Sequence, residues 1–328
     1  MVAVEAMIEA RKIQKLGSSS LIVTLPRSWV KRNQVSQGDI VYIIDEGRSI
    51  RIIPSSTKAN IHNITMDLSK LKDARLASMT VSCIYTLGYD EVELLLSKDA
   101  DVLSTLSNIR SSASRLLGLD IVDHDDTSIK VRVVIDQTRL DVRTTIKGMT
   151  NTVALSVEVL ERAVKGVEPR PKILEEATYI RNELFKNQHL IIRLMISNGY
   201  MVSGNGEYTH GVLIGTSLLA IVGESMLDAI YKITKNNFTV SKTTASLLWE
   251  LKRLIPIVGY TLSNPSIKRS KESIYTIVKL REEIGQRISE AKEPGDLILL
   301  TKIDDALRVL QIIAYTSFCA ATSSLVVK

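Results

Sequence analysis

Six basic side chains near the N-terminus are the residues of this 328-residue chain whose types and spacing best suit a chemical task. No carboxylate interrupts them between positions 11 and 32. They are Arg11, Lys12, Lys15, Arg27, Lys31 and Arg32. A cluster of one sign on a short segment repels itself unless a polyanion neutralises it, and a nucleic-acid backbone is such a partner. Charge alone, however, favours a simpler alternative, which is a basic face that only water contacts.

Short strands and one short helix must position these charges. Runs of β-branched residues and leucine predict strands over 21–25, 40–44 and 50–53, with a weaker strand over 11–16. Pro26 ends a strand and opens a helix over 27–34, because its fixed φ and missing N–H do least harm at a helix start. Gly38 and Gly47 predict turns, since glycine accepts the positive φ that such turns require.

The order of these elements, with their motif residues, resembles the AbrB/MazE/SpoVT swapped-hairpin DNA-binding domain. The matching motifs are Lys15-Leu16-Gly17-Ser18-Ser19, the run 21–26, Trp29-Val30, Gly38-Asp39-Ile40 and the run 50–54. The resemblance implies that two chains interleave their hairpins into one β-barrel, and a unit this small needs such a partner to bury a core. It also implies contact with double-stranded DNA. The implied DNA-binding residues are Arg11, Lys12, Lys15, Ser18, Ser19, Ser20, Arg27, Lys31 and Arg32.

A small α/β domain is predicted over 57–136, after the polar linker around Pro54. The hydrophobic pattern alternates strand, helix, strand, helix and two strands, which favours one sheet with helices on one face. His124 among aspartates in the last hairpin suggests a metal cluster at first sight. Hairpin turns are often acidic, so the sequence favours an ordinary turn there.

The remainder of the chain, 137–328, is predicted to be almost wholly helical. Breaks in the apolar periodicity divide it into six helices over 138–165, 171–197, 207–235, 239–262, 266–291 and 296–324. The first three and the last three agree in length and order, which suggests a duplicated three-helix bundle. His189 and Arg193 on one of these helices are interpreted as a partly buried polar pair. The predicted fold class is therefore multidomain α+β, with domains at 1–56, 57–136 and 137–328.

This layout resembles the archaeal phosphate uptake regulator architecture, in which a PhoU-like region of tandem three-helix bundles follows the swapped-hairpin domain. The PhoU family carries E/D-x-x-x-D pairs that hold divalent or ferric metal ions. Glu224 and Asp228 match one such pair, and Glu183 stands at the partner position with Asn187 in place of the second carboxylate. The second half of the region has lost its pairs. The resemblance thus implies at most a degenerate metal site at Glu183, Glu224 and Asp228, and a solvated acidic pair is the alternative.

The cysteines and the lack of evident targeting segments predict a cytoplasmic protein. The net charge is +6, and the two cysteines, Cys83 and Cys319, lie far apart in apolar helical contexts. They predict buried thiols in a reducing compartment rather than a disulfide framework. No signal peptide is evident, and the apolar run 211–223 is shorter than the roughly 20 residues of a membrane-spanning helix. The sequence therefore predicts no membrane insertion.

The predicted function is that of a dimeric DNA-binding transcription regulator, with a helical region that senses a signal or binds a partner. The family resemblance implies that the signal concerns phosphate uptake, through a phosphate transporter or a regulatory kinase. The alternative is an interaction protein at such a complex, in which the barrel serves mainly for dimerisation. Antitoxin-like neutralisation of a toxin is a third possibility, which fits the barrel but not the large helical region. No catalytic constellation supports an enzyme, and no cofactor is certain.

Overall fold

A computed structural model describes residues 9–17, 20–45, 50–54, 63–69, 74–97, 101–197 and 207–322. The chain forms two compact units, Met1–Ile61 and His62–Lys328. The second unit contains both the small sheet and the helical region. Each unit is described by itself below.

The N-terminal unit consists of two antiparallel hairpins with a short helix between them. Its elements are β1 (Gln14–Leu16), β2 (Ser20–Ile22), α1 (Arg27–Arg32), β3 (Val41–Asp45) and β4 (Ile50–Pro54). β1 pairs with β2 and β3 with β4, each pair as its own two-stranded sheet. β2 is shorter than predicted because β1 offers only three residues to pair with it. Gly38 has the positive φ predicted for its turn, at 94°, whereas Gly47 lies outside the described residues.

A four-stranded sheet begins the second unit. Its elements are β5 (Asn63–Asp67), α2 (Ala74–Thr86), β6 (Glu91–Leu95), α3 (Val102–Ala113), β7 (Leu119–His124) and β8 (Ser128–Val133). The strand order is β5-β6-β8-β7, with β5 and β6 parallel and the other pairs antiparallel. Alternate side chains of the central strands, Val92 and Leu94 in β6 with Ile129 and Val131 in β8, are buried in a core of their own. The predicted element order is the observed one.

Six long helices follow a single 3₁₀ turn. They are α4 (Val142–Lys165), α5 (Arg170–Ser197), α6 (Glu207–Asn236), α8 (Leu247–Ser263), α9 (Ile267–Glu290) and α10 (Pro294–Thr322), with the four-residue α7 (Lys242–Ala245) before α8. The fourth predicted helix is thus divided in two. Asp141 caps α4 by accepting a hydrogen bond from the Thr144 N–H, and Gly166 ends it with a φ of 61°.

These helices pack in two sets of three around one continuous core. Helices α4, α5 and α6 contact one another, as do α8, α9 and α10, while the α4–α8 and α6–α10 contacts join the two sets. By length and composition, Gly211–Asn236 of α6 could span a membrane. Its Leu219, Val222 and Leu227 are nevertheless fully buried in the core, as in the central helix of a globular protein.

The two sets repeat the same pattern of buried positions. In α9, residues Ser273, Ile277, Leu280 and Ile284 are buried, and subtracting 100 gives the buried Ile173, Ala177, Ile180 and Leu184 of α5. Subtracting 80 from Leu299, Ala306 and Leu310 of α10 gives the buried Leu219, Met226 and Ile230 of α6. This register supports the interpretation that the helical region arose by duplication.

Arg193 joins the helices to the sheet layer. Its side chain is fully buried, and one guanidinium nitrogen donates hydrogen bonds of 2.8 Å to the carbonyl oxygens of Tyr85 and Tyr89. The other donates to the Asp90 carboxylate. Arg193 therefore bonds to the sheet layer rather than forming the predicted pair with His189. Burial, opposed in part by the Arg193 charge, raises the pKa of Tyr85 to about 12.

The two cysteines differ from the expectation of buried thiols. Cys83 in α2 and Cys319 in α10 are both exposed and free. Each belongs to a helix whose apolar stripe covers only one face, and each cysteine lies outside that stripe. Both cysteines have apolar neighbours in the sequence. The orientation of each helix nevertheless turns the thiol towards solvent.

Candidate nucleic-acid interface

The short helix α1 presents two of the predicted cations on one exposed side. The helix begins after Pro26, whose carbonyl accepts the Val30 N–H at 3.0 Å. It ends where Asn33 donates from its backbone and its side chain to the Trp29 carbonyl, at 3.0 and 2.8 Å. Trp29 and Val30 are partly buried, whereas Arg27 and Lys31, one turn apart, are exposed. The local packing thus turns the cations outward.

The first strand and the residues before it contribute the other described cations. Arg11, Lys12 and Lys15 are all exposed. Arg11 is bonded to Glu9, a carboxylate that lies just outside the run of basic residues. The other four cations, Lys12, Lys15, Arg27 and Lys31, form no ion pair with any residue that the structure describes. Their charges are therefore available to an external anion.

The three serines and Arg32 are only partly covered by the structure. Ser20 opens β2, is exposed and lies opposite Leu16 in the hairpin. Ser18 and Ser19 lie outside the described residues, and so does the side chain of Arg32. Their predicted contacts with DNA stay predictions.

The N-terminal unit has no core of its own among its described residues, none of which is buried. Large apolar side chains are open to solvent instead, including Leu21 at 69% exposure in the first hairpin and Ile43 at 66% in the second. Tyr42, on the opposite face of β3 from Ile43, is also exposed. An isolated two-stranded hairpin is at best marginally stable in water. These faces therefore need another surface to cover them.

The three predicted metal ligands each lie beside a cation. Glu224 accepts a hydrogen bond from Arg181 Nε at 3.0 Å, and Glu183 accepts one from Lys186 at 2.7 Å. Asp228 lies 2.7 Å from Lys302 Nζ and 3.1 Å from Lys232 Nζ. Burial raises the pKa of Asp228, but hydrogen bonds from the two lysines outweigh that effect and lower it.

This arrangement does not fit a metal ion as it stands. Nowhere in the described ranges do three or more His, Cys, Asp or Glu side chains come together as a metal-binding group. A metal ion at Glu224 and Asp228 would have to displace the ammonium and guanidinium groups that already neutralise them. Metal binding at Glu183, Glu224 and Asp228 stays a prediction that a metal titration would test.

The repeat register gives the acidic residues a structural explanation. Adding 100 to Arg181 and 80 to Glu224 gives Arg281 and Asp304, and Arg281 Nε donates to Asp304 at 2.8 Å. The same interhelical ion pair thus recurs in both sets of helices. In this register, Asp304 of the second half therefore takes the position of Glu224 in the first.

The acidic hairpin around His124 is an ordinary turn. One carboxylate oxygen of Asp125 accepts hydrogen bonds of 2.7 Å from the backbone N–H groups of Thr127 and Ser128. These bonds, with a further one from the Thr127 hydroxyl, lower the pKa of Asp125. The aspartate orders the turn, as the sequence favoured.

Comparison with protein families finds a match on the N-terminal unit. Residues 14–60 match the family described as antidote-toxin recognition MazE, bacterial antitoxin. The matched range contains β1, β2, α1, β3 and β4, so the MazE-like character of this segment is confirmed. Comparison with curated protein sequences finds no match.

Proposed function

We propose that this protein is a DNA-binding transcription regulator that acts as a homodimer through its MazE-like N-terminal unit. The observation that carries the proposal is a set of exposed cations in that unit that form no ion pair with a described residue, namely Lys12, Lys15, Arg27 and Lys31. Unneutralised lysine and arginine side chains supply affinity for a phosphate backbone, because binding releases the counterions condensed on DNA. The family match of residues 14–60 supports the same function.

Dimerisation is the second part of the proposal. The exposed apolar side chains of both hairpins, with no buried residue among the described positions of the unit, support a second copy as the covering surface. A swapped-hairpin barrel would bury one face of each hairpin, including Leu21 and Ile43, and would double the number of cations facing DNA. Each of these side chains would then be present in both copies of the dimer.

Contacts to phosphate would position the dimer, and DNA shape would supply much of the specificity. Helix α1 has only six residues, which is too short to follow the major groove as a recognition helix does. Serine hydroxyls or backbone N–H groups of Ser18, Ser19 and Ser20 would add bonds to the same phosphates. A protein that mainly contacts the backbone discriminates sequences through their deformability.

A charge-reversal variant tests DNA binding. Lys12→Glu with Lys15→Glu should weaken binding to a genomic DNA fragment at least tenfold, taking roughly 1.5–3 kcal/mol for each lost charged contact. The slope of log K against log salt should also become shallower. Lys235→Glu with Lys242→Glu, which changes the net charge equally on exposed residues outside this unit, is the matched control. Equal weakening by both variants would contradict the proposal and favour an interaction protein dimerised by the barrel.

The signal to which the regulator responds is proposed to be phosphate availability, with the helical region binding a phosphate transporter or a regulatory kinase. The order of the domains and the two sets of three helices support this part. Recovery of bound DNA from cells grown with and without phosphate is the test. Sites near phosphate-transport genes whose occupancy changes with phosphate are expected. Reproducible sites elsewhere would contradict the phosphate signal and leave DNA binding intact.

Antitoxin-type regulation is a second candidate, which the family match favours because the family's description names a bacterial antitoxin. Under it, the exposed apolar side chains or the segment after β4 would bind a toxin. Co-expression with the product of a neighbouring gene should then give a stoichiometric complex that relieves growth arrest. Growth arrest that persists despite co-expression would exclude this function.

A further inference from the structure

A cleft in the helical region is lined by several basic side chains. One cavity, of about 370 Å³, lies between the first half of α4 and the second half of α8, with Arg143, Lys147 and Tyr260 in its lining. Two adjoining depressions share Tyr260 and add Lys268 and Arg269 from the start of α9. We call this continuous surface the Tyr260 cleft. The volume of the cavity between α4 and α8 falls within the range of small-molecule sites, roughly 300–1,000 Å³.

The charges of the Tyr260 cleft are not neutralised within the described structure. Ten arginines lie in the helices from α4 to α10, and eight of them donate hydrogen bonds to a carboxylate, amide or carbonyl oxygen. Those eight are Arg162, Arg170, Arg181, Arg193, Arg253, Arg281, Arg287 and Arg308. The two others, Arg143 and Arg269, have no side-chain hydrogen bond or ion pair to a described residue, and both line the cleft. Lys147 and Lys268 likewise form no ion pair there.

Nearby acidic groups do not cancel this positive charge. Among the described residues, no carboxylate lines the cavity between α4 and α8. Asp141, just before α4, accepts hydrogen bonds from the Thr144 N–H and hydroxyl at 2.8 and 2.7 Å, so it caps the helix. Glu272 borders one adjoining depression, beyond Arg269. The cluster therefore carries an excess of cations, an arrangement that is stable only when an anion or solvent screens it.

Tyr260 gives the cleft an aromatic wall. Its side chain is 48% exposed, and the Arg269 guanidinium lies over the ring at 4.5 Å from the centroid. Stacking uses the flat face of the guanidinium and leaves the N–H groups at its edge free to bind a phosphate oxygen. Pro256, one turn earlier in α8, adds an apolar surface beside the ring.

The base of the cleft is formed by a close approach of two helices. A Cβ atom on Gly259 would lie 2.4 Å from Thr150 Cγ2, so only glycine lets α8 come this near to α4. Thr150 and Ser263 are buried there, and their hydroxyls already donate to the Ile146 and Tyr260 carbonyls. The amides of Asn151 and Asn264 complete the polar lining. A packed base with exposed cations above it is compatible with a preformed ligand site.

We propose that the Tyr260 cleft binds a phosphate ester of nucleotide size. Arg143 and Lys147, four residues apart on one face of α4, would bind the phosphate groups together with Arg269. Tyr260 and Pro256 would contact the apolar or aromatic part of the ligand. This inference rests on the second unit alone and stands whether or not the N-terminal unit binds DNA.

Isothermal titration calorimetry of the full chain with ATP, AMP and inorganic phosphate at constant ionic strength tests the site. Saturable binding of a nucleotide is expected, and Arg143→Glu with Lys147→Glu should weaken it at least about tenfold. Tyr260→Ser should weaken nucleotide binding by a smaller factor and leave the affinity for inorganic phosphate unchanged. Should the double charge reversal disturb folding, Arg143→Gln with Lys147→Gln removes the charges more gently.

The same control as for DNA binding, Lys235→Glu with Lys242→Glu, should bind the nucleotide as the unaltered protein does. An equal loss in this control would mean non-specific attraction of anions and would overturn the proposal. So would the absence of nucleotide binding at millimolar concentration, or binding of inorganic phosphate with which the nucleotides do not compete. Competition by duplex DNA, without any binding of nucleotides, would assign the cleft to a nucleic-acid surface instead.

Discussion

The N-terminal unit and the helical region differ in how far they bury apolar side chains and pair their charges. The helical region buries one continuous apolar core and neutralises most of its arginines with oxygen partners. The N-terminal unit, in its described residues, buries no side chain fully and leaves four cations without carboxylates. The first arrangement is complete within one chain. The second is physically incomplete, both in its apolar faces and in its charges, so its partners must come from outside.

The presence or absence of a carboxylate partner distinguishes charges that stabilise the fold from charges that are available to bind a ligand. In the helices, arginine and lysine side chains neutralise acidic residues between neighbouring elements, as Arg281 does for Asp304. In the N-terminal unit and in the Tyr260 cleft, the cations face open space. A charge without a partner is the more informative observation, because an exposed ion pair contributes little to stability and has an ordinary structural explanation.

The largest expected effect is the loss of the dimer when the apolar face of the N-terminal unit is altered. Ile43→Asp places a charge on a side chain that is 66% exposed in a single chain and would be covered in the homodimer. Light scattering should show a monomer whose circular dichroism keeps the helical signal. Leu103→Asp, at a residue that is 79% exposed in α3, should leave the dimer intact. An unchanged dimer in Ile43→Asp would contradict association through this face.

The next largest effect is a loss of stability in the second unit when Arg193 is replaced. Arg193→Met removes the buried guanidinium that holds two backbone carbonyls and the Asp90 carboxylate of the sheet layer. We expect the free energy of unfolding in urea to fall by about 3 kcal/mol, as for other broken buried ion pairs. Arg253→Met, which breaks an exposed pair with Glu250, should cost less than about 1 kcal/mol. Equal effects would mean that Arg193 is not what joins the sheet layer to α5.

A smaller effect should distinguish the two halves of the repeat. Arg281→Met breaks a pair whose side chains are 29% and 17% exposed, whereas Arg181→Met breaks the equivalent pair with Glu224, at 41% and 47%. Less screening by water makes the first pair stronger, so we expect a loss of roughly 1–2 kcal/mol for Arg281→Met and below about 1 kcal/mol for Arg181→Met. Urea unfolding of both variants measures the difference, and the reverse order would contradict this explanation.

The smallest effect is a dependence on pH. Burial raises the pKa of Asp304, but hydrogen bonds from Arg281 and Arg308 outweigh it and lower the pKa below its usual value. The resulting stabilisation is present above the unfolded pKa of about 3.9 and disappears as pH falls through the folded pKa. Asp304→Asn should therefore be less stable than the unaltered protein at pH 7, with the gap closing towards pH 3. A gap that stays constant in unfolding experiments across this range would contradict the assignment.

Much of the fold was determined by patterns local to the sequence. The spacing of apolar residues predicted the N-terminal strands, the element order of the sheet and six helices, because burial on one face imposes a period of two or 3.6 residues. The motifs from Lys15 to Pro54 predicted the MazE-like segment, since tight turns restrict residue types at fixed positions. The run of basic residues likewise required no structure, because charge is a property of composition.

Only the tertiary structure decided which of these residues have partners. The sequence shows Glu224 and Asp228 one helical turn apart, but the neighbouring helices bring Arg181 and Lys302 to them. Arg143 and Arg269 are separated by more than a hundred positions and line one cleft only because α4 packs against α8 at Gly259. Such contacts depend on the helix packing that the whole core stabilises, so the periodicity of any single helix leaves them undetermined.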